Sequence, residues 1–348
     1  MRFRARAPLR ISFGGGGTDV PPYCWEEGGA VVNSTIDRYA YATFEPGGES
    51  VVLESSDMVL RREYPVHSAD PRGSEDPGAG PGLQYDGELD LLKAAAKVAG
   101  AEGGGGFRLT TYSQAPPGSG MGGSSSLAVA IIGAIASARG KVDRMDVAML
   151  AYRAEREELG QRGGYQDQLA AAHGGFNYME FSRSGISVVP LRLERWVVLE
   201  LEARSILLYT GRGRLSSRIH EDVDRRNRED PGAGSAYREE LRRVAREMRS
   251  ALERGDLGEF GELLREGWEA KRRMSPLVSD GLADRAYARA MELGAGGGKV
   301  LGAGGGGHLF LFAEPERRGG IIRELEGMGL VNVPFSFELE GGLATWRI

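Results

Sequence analysis

The chain has 348 residues, a formal net charge of −5 and 41% hydrophobic residues, which is enough for a sizeable core in one large domain or two. The acidic balance argues against a nucleic-acid scaffold, and the single cysteine, Cys24, excludes an intrachain disulfide and a multi-cysteine zinc site. No apolar run approaches the roughly 20 residues of a membrane span, and residues 1–6 lack the apolar core of a signal peptide. We therefore expect a cytoplasmic protein whose partners include neither nucleic acid nor a membrane.

The chain begins with segments that are typical of β-strands. Residues 2–13 alternate and end in glycines, so we predict a strand that delivers residues 14–19 to the edge of a site. β-Branched and aromatic residues dominate residues 30–44 and favour one or two more strands. The segments that follow predict two short strands and then a surface loop, at 51–53, 60–66 and 68–87.

A glycine-rich stretch then separates a predicted strand at 107–113 from an apolar helix over 128–136. The glycines within 118–123 permit positive φ angles and leave backbone N–H groups open to an anion, and the serines at 124–126 are predicted to cap the helix. A helix N-terminus behind a glycine loop binds phosphate well, so we predict a phosphate cradle. The alternative is a flexible Gly/Ser linker, but a linker has no reason to lead into a capped apolar helix.

Two carboxylates follow the predicted cradle at informative positions. A helix is predicted after Asp143, and Glu155 follows Val147 and Ala151 on it by eight and four residues, so it borders the apolar face. An unpartnered carboxylate is costly there. The alternative for Glu155 is a solvent-facing glutamate beside a neighbouring arginine. Asp167 lies near the start of a new helical segment, where it would alternatively serve as an N-cap.

The C-terminal half is predicted to mix helices and short strands. Residues 196–201 and 205–210 are rich in apolar and β-branched side chains and predict a hairpin or strand pair. The remaining predictions are helices at 237–252, 258–273 and 279–293, a glycine loop feeding a strand at 299–312, and short strands within 331–348. The order of β-rich, helical and β-rich segments predicts an α+β fold.

Three familiar nucleotide-binding motifs are absent from the sequence. A P-loop needs Gly-Lys followed by Ser or Thr, whereas Lys141 and Lys299 are each followed by valine. The glycines at 14–17 lead into Thr-Asp-Val-Pro-Pro, which does not open a helix as a Rossmann fingerprint requires. The protein-kinase signatures are missing as well. These absences argue against a P-loop enzyme, a dinucleotide-dependent dehydrogenase and a protein kinase.

Three segments resemble the motifs of one family of small-molecule kinases. Pro-Pro-Gly-Ser-Gly-Met-Gly-Gly-Ser-Ser-Ser at 116–126 resembles the second motif of the GHMP kinases, which act on galactose, homoserine, mevalonate and phosphomevalonate. Residues 7–13 are similar to their first motif and residues 299–307 to their third, in matching order. The segments that most resemble the heptose 7-phosphate kinases of this family, with L-fucokinases sharing several, are 6–19, 29–43, 164–168 and 268–272.

The resemblance implies a two-domain architecture with the active site between the domains. Residues 1–185 would form an N-terminal domain like ribosomal protein S5 domain 2, and residues 186–348 a ferredoxin-like α/β sandwich. It also implies ATP and Mg²⁺ as cofactors and a small-molecule sugar or sugar phosphate as the acceptor. The sequence leaves open whether the chain is a monomer or a homo-oligomer.

Individual site residues follow from the same resemblance. Asp167 matches the general base, Arg10 the cation beside it, and Ser124 and Glu155 the magnesium ligands. A carboxylate is a weak base for a sugar hydroxyl, so it needs close geometry and a nearby cation. The ATP phosphates are expected at Pro117, Gly118, Ser119, Gly120, Met121, Gly122, Gly123, Ser124 and Ser125. Gly123 departs from the family pattern, which usually has a serine there. The acceptor is expected at Gly15, Gly16, Gly17, Thr18, Asp19, Gly164, Arg214, Gly304 and Gly305.

Gly16 and Gly17 stand where galactokinases carry Glu and His, so we do not expect the site to recognise galactose as galactokinases do. A phosphorylated acceptor would need further cations, and six are available at Arg212, Arg214, Arg218, Lys271, Arg272 and Arg273, although a solvated surface is the alternative for all of them. The four histidines, His67, His173, His220 and His308, lack metal-binding spacing and are interpreted as structural.

The leading hypothesis is phosphoryl transfer from ATP to the anomeric hydroxyl of D-glycero-D-manno-heptose 7-phosphate, giving the 1,7-bisphosphate. An L-fucokinase-like or other hexose 1-kinase is the alternative within enzymes. A regulator that responds to sugar or nucleotide without catalysis is the alternative outside them.

Overall fold

The computed structural model describes residues 1–66, 83–101, 105–116, 118–140, 142–211, 216–279, 281–339 and 341–348. The strands are β1 Phe3–Gly14, β2 Gly29–Pro46, β3 Ser50–Ser55, β4 Leu60–Pro65, β5 Phe107–Ser113, β6 Phe176–Ser182, β7 Gly185–Pro190, β8 Ser205–Tyr209, β9 Gly297–Val300, β10 His308–Phe312, β11 Val331–Asn332 and β12 Ala344–Arg347.

The helices are α1 Tyr23–Glu26, α2 Asp90–Val98, α3 Gly123–Ala138, α4 Arg144–Arg153, α5 Gln166–His173, α6 Arg195–Arg204, α7 Ser216–Glu229, α8 Pro231–Arg254, α9 Leu257–Met274, α10 Gly281–Glu292 and α11 Pro315–Gly327. A π-helical turn, Ala154–Glu158, continues α4, and a 3₁₀ turn, Pro276–Val278, follows α9. Within the ranges that the structure describes, no helix has the length and apolar character needed to cross a bilayer.

Two sheets organise these elements. The large sheet has the order β12-β1-β2-β5-β3-β4, and β6 also pairs with β2 and carries β7 at its other edge. All its pairs are antiparallel except β3 with β5. The small sheet is antiparallel, in the order β11-β8-β10-β9. The mixed sheets and helices confirm the predicted α+β class. Strand β7 crosses the predicted domain boundary and β12 lies wholly beyond it, so the large sheet takes strands from both sides of that boundary.

Strand β1 contributes to two hydrophobic cores, one against helices α2 to α5 and one against α8, α9 and β10, which we call the cores of the N-terminal and C-terminal halves. Its register against β2 shifts between Pro8 and Arg10. Before the shift, its inward side chains pack with α2, α3, α4 and α5. After it, Phe13 and its neighbours pack with α8, α9 and β10. The Phe13 ring contacts Phe260 and Phe310 at centroid distances of 5.4 and 5.6 Å. Because side chains alternate along a strand, Arg10 and the residue two positions on, Ser12, face a cavity between the halves.

The two glycine loops touch each other through their backbones. A Cβ on Gly120 would lie 2.6 Å from the Leu301 carbonyl oxygen, and a Cβ on Gly302 would lie 2.7 Å from the Gly120 Cα. The ring of His308 also contacts the Ser119 carbonyl, with Nδ1 at 2.7 Å. Only glycine permits this approach, so the loop before β10 fixes the position of the loop before α3.

The structure corrects two predictions about local structure. Residues 196–201, predicted as a strand, lie in helix α6, where Val197 and Leu201 are buried four residues apart while Trp196 and Leu199 are exposed. The apolar run fits a helix face as well as a strand, and packing decides between them. The serines at 124–126 do not cap α3, because its N-cap is Gly122 and the serines lie in its first turn. Most of the loop predicted at 68–87 lies outside the described residues.

Two glycines inside helices test how tightly the fold is packed. A Cβ on Gly133 in α3 would lie 2.6 Å from a methyl carbon of Leu343, whereas a Cβ on Gly319 in α11 would meet nothing within 4 Å. Gly319→Ala should stabilise the protein by up to about 1 kcal/mol through helix propensity. Gly133→Ala should destabilise it, because overpacking costs roughly 1–3 kcal/mol. Urea titrations measure both values, and equal stabilisation by the two variants would contradict the packing of α3 against the C-terminal segment.

Candidate active site

A cavity of about 490 Å³ opens between the two halves. Its walls come from the loop after β1, the glycine loop before α3, the π-helical turn, the start of α5, helices α7 and α9, and the loop between β9 and β10. The predicted site residues that line it are Arg10, Gly16, Gly17, Asp19, Gly118, Ser119, Gly120, Gly122, Gly123, Ser124, Ser125, Glu155, Gly164, Asp167 and Gly304. One cavity therefore gathers residues as far apart in the chain as Arg10 and Gly304.

The glycine loop presents an open helix end to this cavity. Gly118, Gly120 and Gly122 have φ angles of 72°, 79° and 71°, which strongly favour glycine. The N-cap Gly122 supplies no side-chain hydrogen bond, and the first helical hydrogen bond runs from the Ser126 N–H to the Gly122 carbonyl. The N–H groups before Ser126 have no acceptor within the helix. Together with the positive end of the helix dipole, they form a site suited to phosphate.

Glu155 is a buried carboxylate that holds the start of α3 in place. Its residue is only 2% exposed, and its two oxygens accept hydrogen bonds from Ser124 Oγ at 2.5 Å and Ser125 Oγ at 2.7 Å. Gln168 Nε2 on α5 donates a third bond at 2.6 Å. These donors offset the cost of burying the charge. The border position predicted for Glu155 from helix periodicity agrees with this placement.

The side-chain oxygens of Glu155 and Ser124 suit a magnesium ion as ligands. Carboxylate and hydroxyl oxygens are hard ligands, and Mg²⁺ usually takes one or two protein oxygens and completes its shell with phosphates and water. Glu155 and the exposed Ser124 provide such a pair beside the phosphate cradle. No group of three or more His, Cys, Asp or Glu side chains within the described ranges forms an all-protein metal site. The residues present therefore fit a metal that is shared with bound phosphate.

Arg10 and Asp167 form an ion pair next to the cradle. Arg10 is buried, and its Nε donates to Asp167 Oδ1 at 2.8 Å while its Nη1 donates to the Gly120 carbonyl at 2.6 Å. Asp167 lies in the first turn of α5, and its side chain is 26% exposed. The N-cap of α5 is Tyr165, so Asp167 does not serve as the N-cap. Its carboxylate faces the cavity with one strong cation beside it.

A second wall of the cavity is built around Asp19. The carboxylate of Asp19 accepts hydrogen bonds from the Gly17 N–H at 3.1 Å and the Gln166 N–H at 3.0 Å. Gly164 packs so closely that a Cβ there would lie 2.0 Å from the Asp19 carboxylate. This wall has hydrogen-bonding capacity and no bulky side chain at positions 16 and 17, which suits a polyhydroxy ligand.

Several residues predicted to contact ligands lie behind the cavity wall. Thr18 is buried, and its hydroxyl donates to the Gly15 carbonyl at 2.8 Å. Gly15 itself packs on β2. The Met121 side chain lies in the hydrophobic core, and the Gly305 N–H donates to the Val278 carbonyl at 2.7 Å. Two others, Pro117 and Arg214, lie outside the described residues.

Lys271 is a site residue that the sequence pointed to only weakly. Of the six candidate cations, Arg212 and Arg214 lie outside the described residues, and Arg218, Arg272 and Arg273 are exposed away from the cavity. Lys271 is buried, lines the cavity and donates to the Gly302 carbonyl. It follows the buried Leu264 and Trp268 on the inner face of α9. A lysine on the apolar face of a helix is unusual, and this is the feature of the sequence that marks Lys271 as a site residue.

The surroundings of Lys271 weaken the binding of its proton. Burial and the nearby Arg10 guanidinium lower the pKa of Lys271 to about 8, while the Asp19 and Asp167 carboxylates oppose this shift. His220, interpreted from the sequence as structural, also lines the cavity. Burial, together with Lys271 and Arg156, lowers the pKa of His220. An incoming anion would relieve the repulsion among these cations, so this part of the cavity is prepared for negative charge.

The chain is similar over its full length to small-molecule kinases. Residues 90–175 match the family model of the GHMP kinases N terminal domain, and residues 248–329 match that of the GHMP kinases C terminal domain. The D-glycero-alpha-D-manno-heptose 7-phosphate kinase of Campylobacter jejuni is 36% identical, over 99% of both chains. The crystal structure of a D-glycero-D-manno-heptose 1-phosphate kinase from Bacteroides thetaiotaomicron is 32% identical over 99% of both chains, with a TM-score of 0.79.

A plant enzyme gives a more distant match. The bifunctional fucokinase/GDP-fucose pyrophosphorylase of Arabidopsis thaliana is 28% identical over 93% of this chain and 31% of its own length. The likeness inferred from the three short motifs therefore extends to the regions between them.

The buried charge of Lys271 makes stability depend on pH. The folded-state pKa of about 8 lies below the ordinary value of 10.5, so between these pH values the unfolded chain binds a proton that the folded chain lacks. The free energy of unfolding of the wild-type protein, relative to Lys271→Met, should rise by roughly 3 kcal/mol across this interval and stay constant below it.

Urea titrations over this pH interval measure the difference. Arg272→Met, which removes an exposed cation that does not titrate there, is the control and should give a constant difference. A flat difference for Lys271→Met as well would contradict the buried position of the ammonium group.

Proposed function

Because the chain belongs to the GHMP kinase family and is a sugar kinase, we propose that it transfers the γ-phosphate of ATP to the anomeric hydroxyl of D-glycero-D-manno-heptose 7-phosphate, giving the 1,7-bisphosphate. One contact carries the proposal: a Cβ on Gly122, the N-cap of α3, would lie 3.4 Å from the carboxyl carbon of Asp167. Donor phosphates at the start of α3 would therefore meet an acceptor hydroxyl beside a carboxylate.

Phosphoryl transfer asks the protein mainly to position the reactants and to neutralise charge. The first-turn N–H groups of α3 bind the donor phosphates, and Lys271 adds a cation from the opposite half of the molecule. Ser124 and Glu155 would hold Mg²⁺, which neutralises phosphate charge when bound. These groups act together in one cavity, where partly buried charges have more effect than they would have in bulk water.

Asp167 accepts the proton of the acceptor hydroxyl. The anomeric oxygen then forms its bond to the γ-phosphorus as the bond from that phosphorus to the bridging oxygen breaks, and ADP leaves. Arg10 keeps the carboxylate in place by donating from Nε at 2.8 Å, and it stabilises the negative charge that develops on the acceptor oxygen. Its second bond, to the Gly120 carbonyl, ties the same guanidinium to the cradle.

The choice of acceptor rests on similarity and on the shape of the Asp19 wall. The heptose 7-phosphate kinase of Campylobacter jejuni shares 36% of its residues with this chain over nearly its whole length. Gly16 and Gly17 leave room beside Asp19 that larger side chains would fill. The Arabidopsis fucokinase, at 28% identity, supports an L-fucokinase-like reaction as the second candidate.

A panel of acceptors tests the proposed reaction. ADP release with ATP and Mg²⁺ should give a kcat/KM for D-glycero-D-manno-heptose 7-phosphate that is at least about 100-fold above those for L-fucose, D-mannose and D-galactose, because its contacts should strengthen in the transition state. Phosphorus NMR of the product should show a new anomeric phosphate. Turnover of L-fucose alone would overturn the heptose assignment and favour the second candidate.

Removal of the proposed base gives a separate prediction. Asp167→Asn keeps an oxygen that can accept from Arg10 and removes the charge that takes the proton, so kcat should fall by roughly 10²- to 10⁴-fold. The dissociation constant for ATP with Mg²⁺, measured by calorimetry, should change less than about threefold, since the first-turn N–H groups of α3 are untouched.

Glu157→Gln is the matched control for this variant. Glu157 lies on the π-helical turn with a side chain 64% exposed, and it does not line the cavity, so its loss should leave kcat unchanged. Full activity of Asp167→Asn would remove Asp167 from the reaction.

A further inference from the structure

Five basic side chains among the described residues line the cavity, and three of them already have carboxylate partners. The three pairs are Arg10 with Asp167, Arg162 with Asp224, and Arg238 with Glu27. The remaining two cations are Lys271, which lies near Arg10, and Arg156, which follows Glu155 on the π-helical turn. In the part of the chain that the structure describes, neither of these two forms an ion pair with a carboxylate.

Arg156 is the least satisfied of the five. Its Nε is buried and has no hydrogen-bond partner, and its guanidinium forms no hydrogen bond to any described residue. An unsatisfied buried donor costs about 1–3 kcal/mol, and more when it is charged. Arg238 also has one unpartnered buried nitrogen, Nη1, but Glu27 neutralises the charge of its guanidinium through hydrogen bonds of 2.9 and 2.5 Å from Nε and Nη2. Among the cavity's described basic side chains, Arg156 and Lys271 both lack a carboxylate partner, and Arg156 also lacks the hydrogen bond that Lys271 makes to the Gly302 carbonyl.

The guanidinium of Arg156 lies on the acceptor side of the cavity. It packs on the backbone of Gly163, where an added Cβ would lie 2.7 Å from Nη2. The next residue, Gly164, packs on the carboxylate of Asp19, which belongs to the wall assigned to the sugar. Glu155 and Arg156, which are adjacent on the π-helical turn, therefore contact different parts of the cavity. Glu155 bonds to the serines of the cradle, and Arg156 reaches the loop that carries Gly163 and Gly164.

His220 lies on α7, which borders the same cavity. Burial lowers the pKa of His220, and the nearby Lys271 ammonium and Arg156 guanidinium add to this shift. A neutral imidazole donates one hydrogen bond from one nitrogen and accepts one at the other without adding charge. This end of the cavity thus combines an unpaired guanidinium with a polar ring, and a planar guanidinium fork matches the geometry of a phosphate group.

We propose, on the basis of the proposed function, that Arg156 binds the phosphate that the acceptor sugar already carries and thereby selects a phosphorylated sugar over the free sugar. The transferred phosphate would lie at the cradle and the resident phosphate at Arg156, with the sugar near Asp167 and Asp19. Arg156 acts in recognition of the acceptor and takes no part in proton transfer.

The test compares two acceptors that differ only in the phosphate, D-glycero-D-manno-heptose 7-phosphate and the same heptose without it. Arg156→Gln should lower kcat/KM for the phosphorylated acceptor by roughly 10- to 100-fold, as expected for the loss of a charge-assisted hydrogen bond. For the free heptose it should change kcat/KM by less than about threefold. Arg156→Lys keeps the charge and loses the planar fork, so it should recover part of the loss.

Arg153→Gln is the matched control. Arg153 lies three residues earlier, is 55% exposed, pairs with Glu157 at 3.5 Å and does not line the cavity. Its loss should leave both acceptors unaffected. Unchanged ATP affinity and an unchanged thermal midpoint in the Arg156 variants show that they are folded. If Arg156→Gln does not fold, the ratio of kcat/KM for the two acceptors is taken from Arg156→Lys.

The outcomes separate this inference from the proposed function. If the wild-type enzyme prefers the phosphorylated heptose and Arg156→Gln keeps that preference, the phosphate site is overturned and the proposed function stands. Equal losses for both acceptors also overturn it, since they indicate a general defect. A wild-type enzyme that uses both heptoses equally well contradicts the heptose 7-phosphate assignment, and the phosphate site with it.

Discussion

The buried carboxylate of Glu155 is the constraint on which the arrangement of the cavity depends. A charge that is 2% exposed must be satisfied, and the three groups that satisfy it are two hydroxyls in the first turn of α3 and the amide of Gln168 on α5. Asp167 is the neighbour of Gln168. One ionised group therefore fixes the open helix end that can bind a phosphate relative to the carboxylate that can take a proton. Loss of any donor would leave the charge unsatisfied and loosen both parts of the site.

The second constraint is the contact between the two glycine loops. Backbone atoms of residues near 120 and near 302 approach so closely that a side chain on either would collide with the other loop. This contact brings the small sheet and α9 to the mouth of the cradle, and it allows Lys271 to reach the Gly302 carbonyl from the opposite half. Glycine is thus used here for two purposes. In the first loop it frees N–H groups for an anion, and in the second it permits the two halves to touch.

The sequence predicted the parts of the site that local chemistry determines. The glycine loop before an apolar helix, the carboxylate of Glu155 on a helix border and Asp167 at a helix start all follow from patterns within a few residues. The predictions from the sequence were less accurate where tertiary contacts determine the local structure. The serines after Gly122 bond to Glu155 and to the Pro8 carbonyl instead of capping their own helix, and residues 196–201 form a helix because one face of it meets the core. Arg156 became visible as a site residue, and Lys271 stood out from the other five candidate cations, only once distant segments had been brought together.

A ternary complex tests the central claim, that one cavity holds donor and acceptor on either side of Asp167. The measurement is a crystal structure with a non-hydrolysable ATP analogue, Mg²⁺ and heptose 7-phosphate. The account predicts the analogue's phosphates at the first-turn N–H groups of α3, the anomeric hydroxyl within hydrogen-bond distance of Asp167, and the sugar's own phosphate at Arg156. Phosphates bound away from the start of α3, or an anomeric hydroxyl directed away from Asp167, would contradict it.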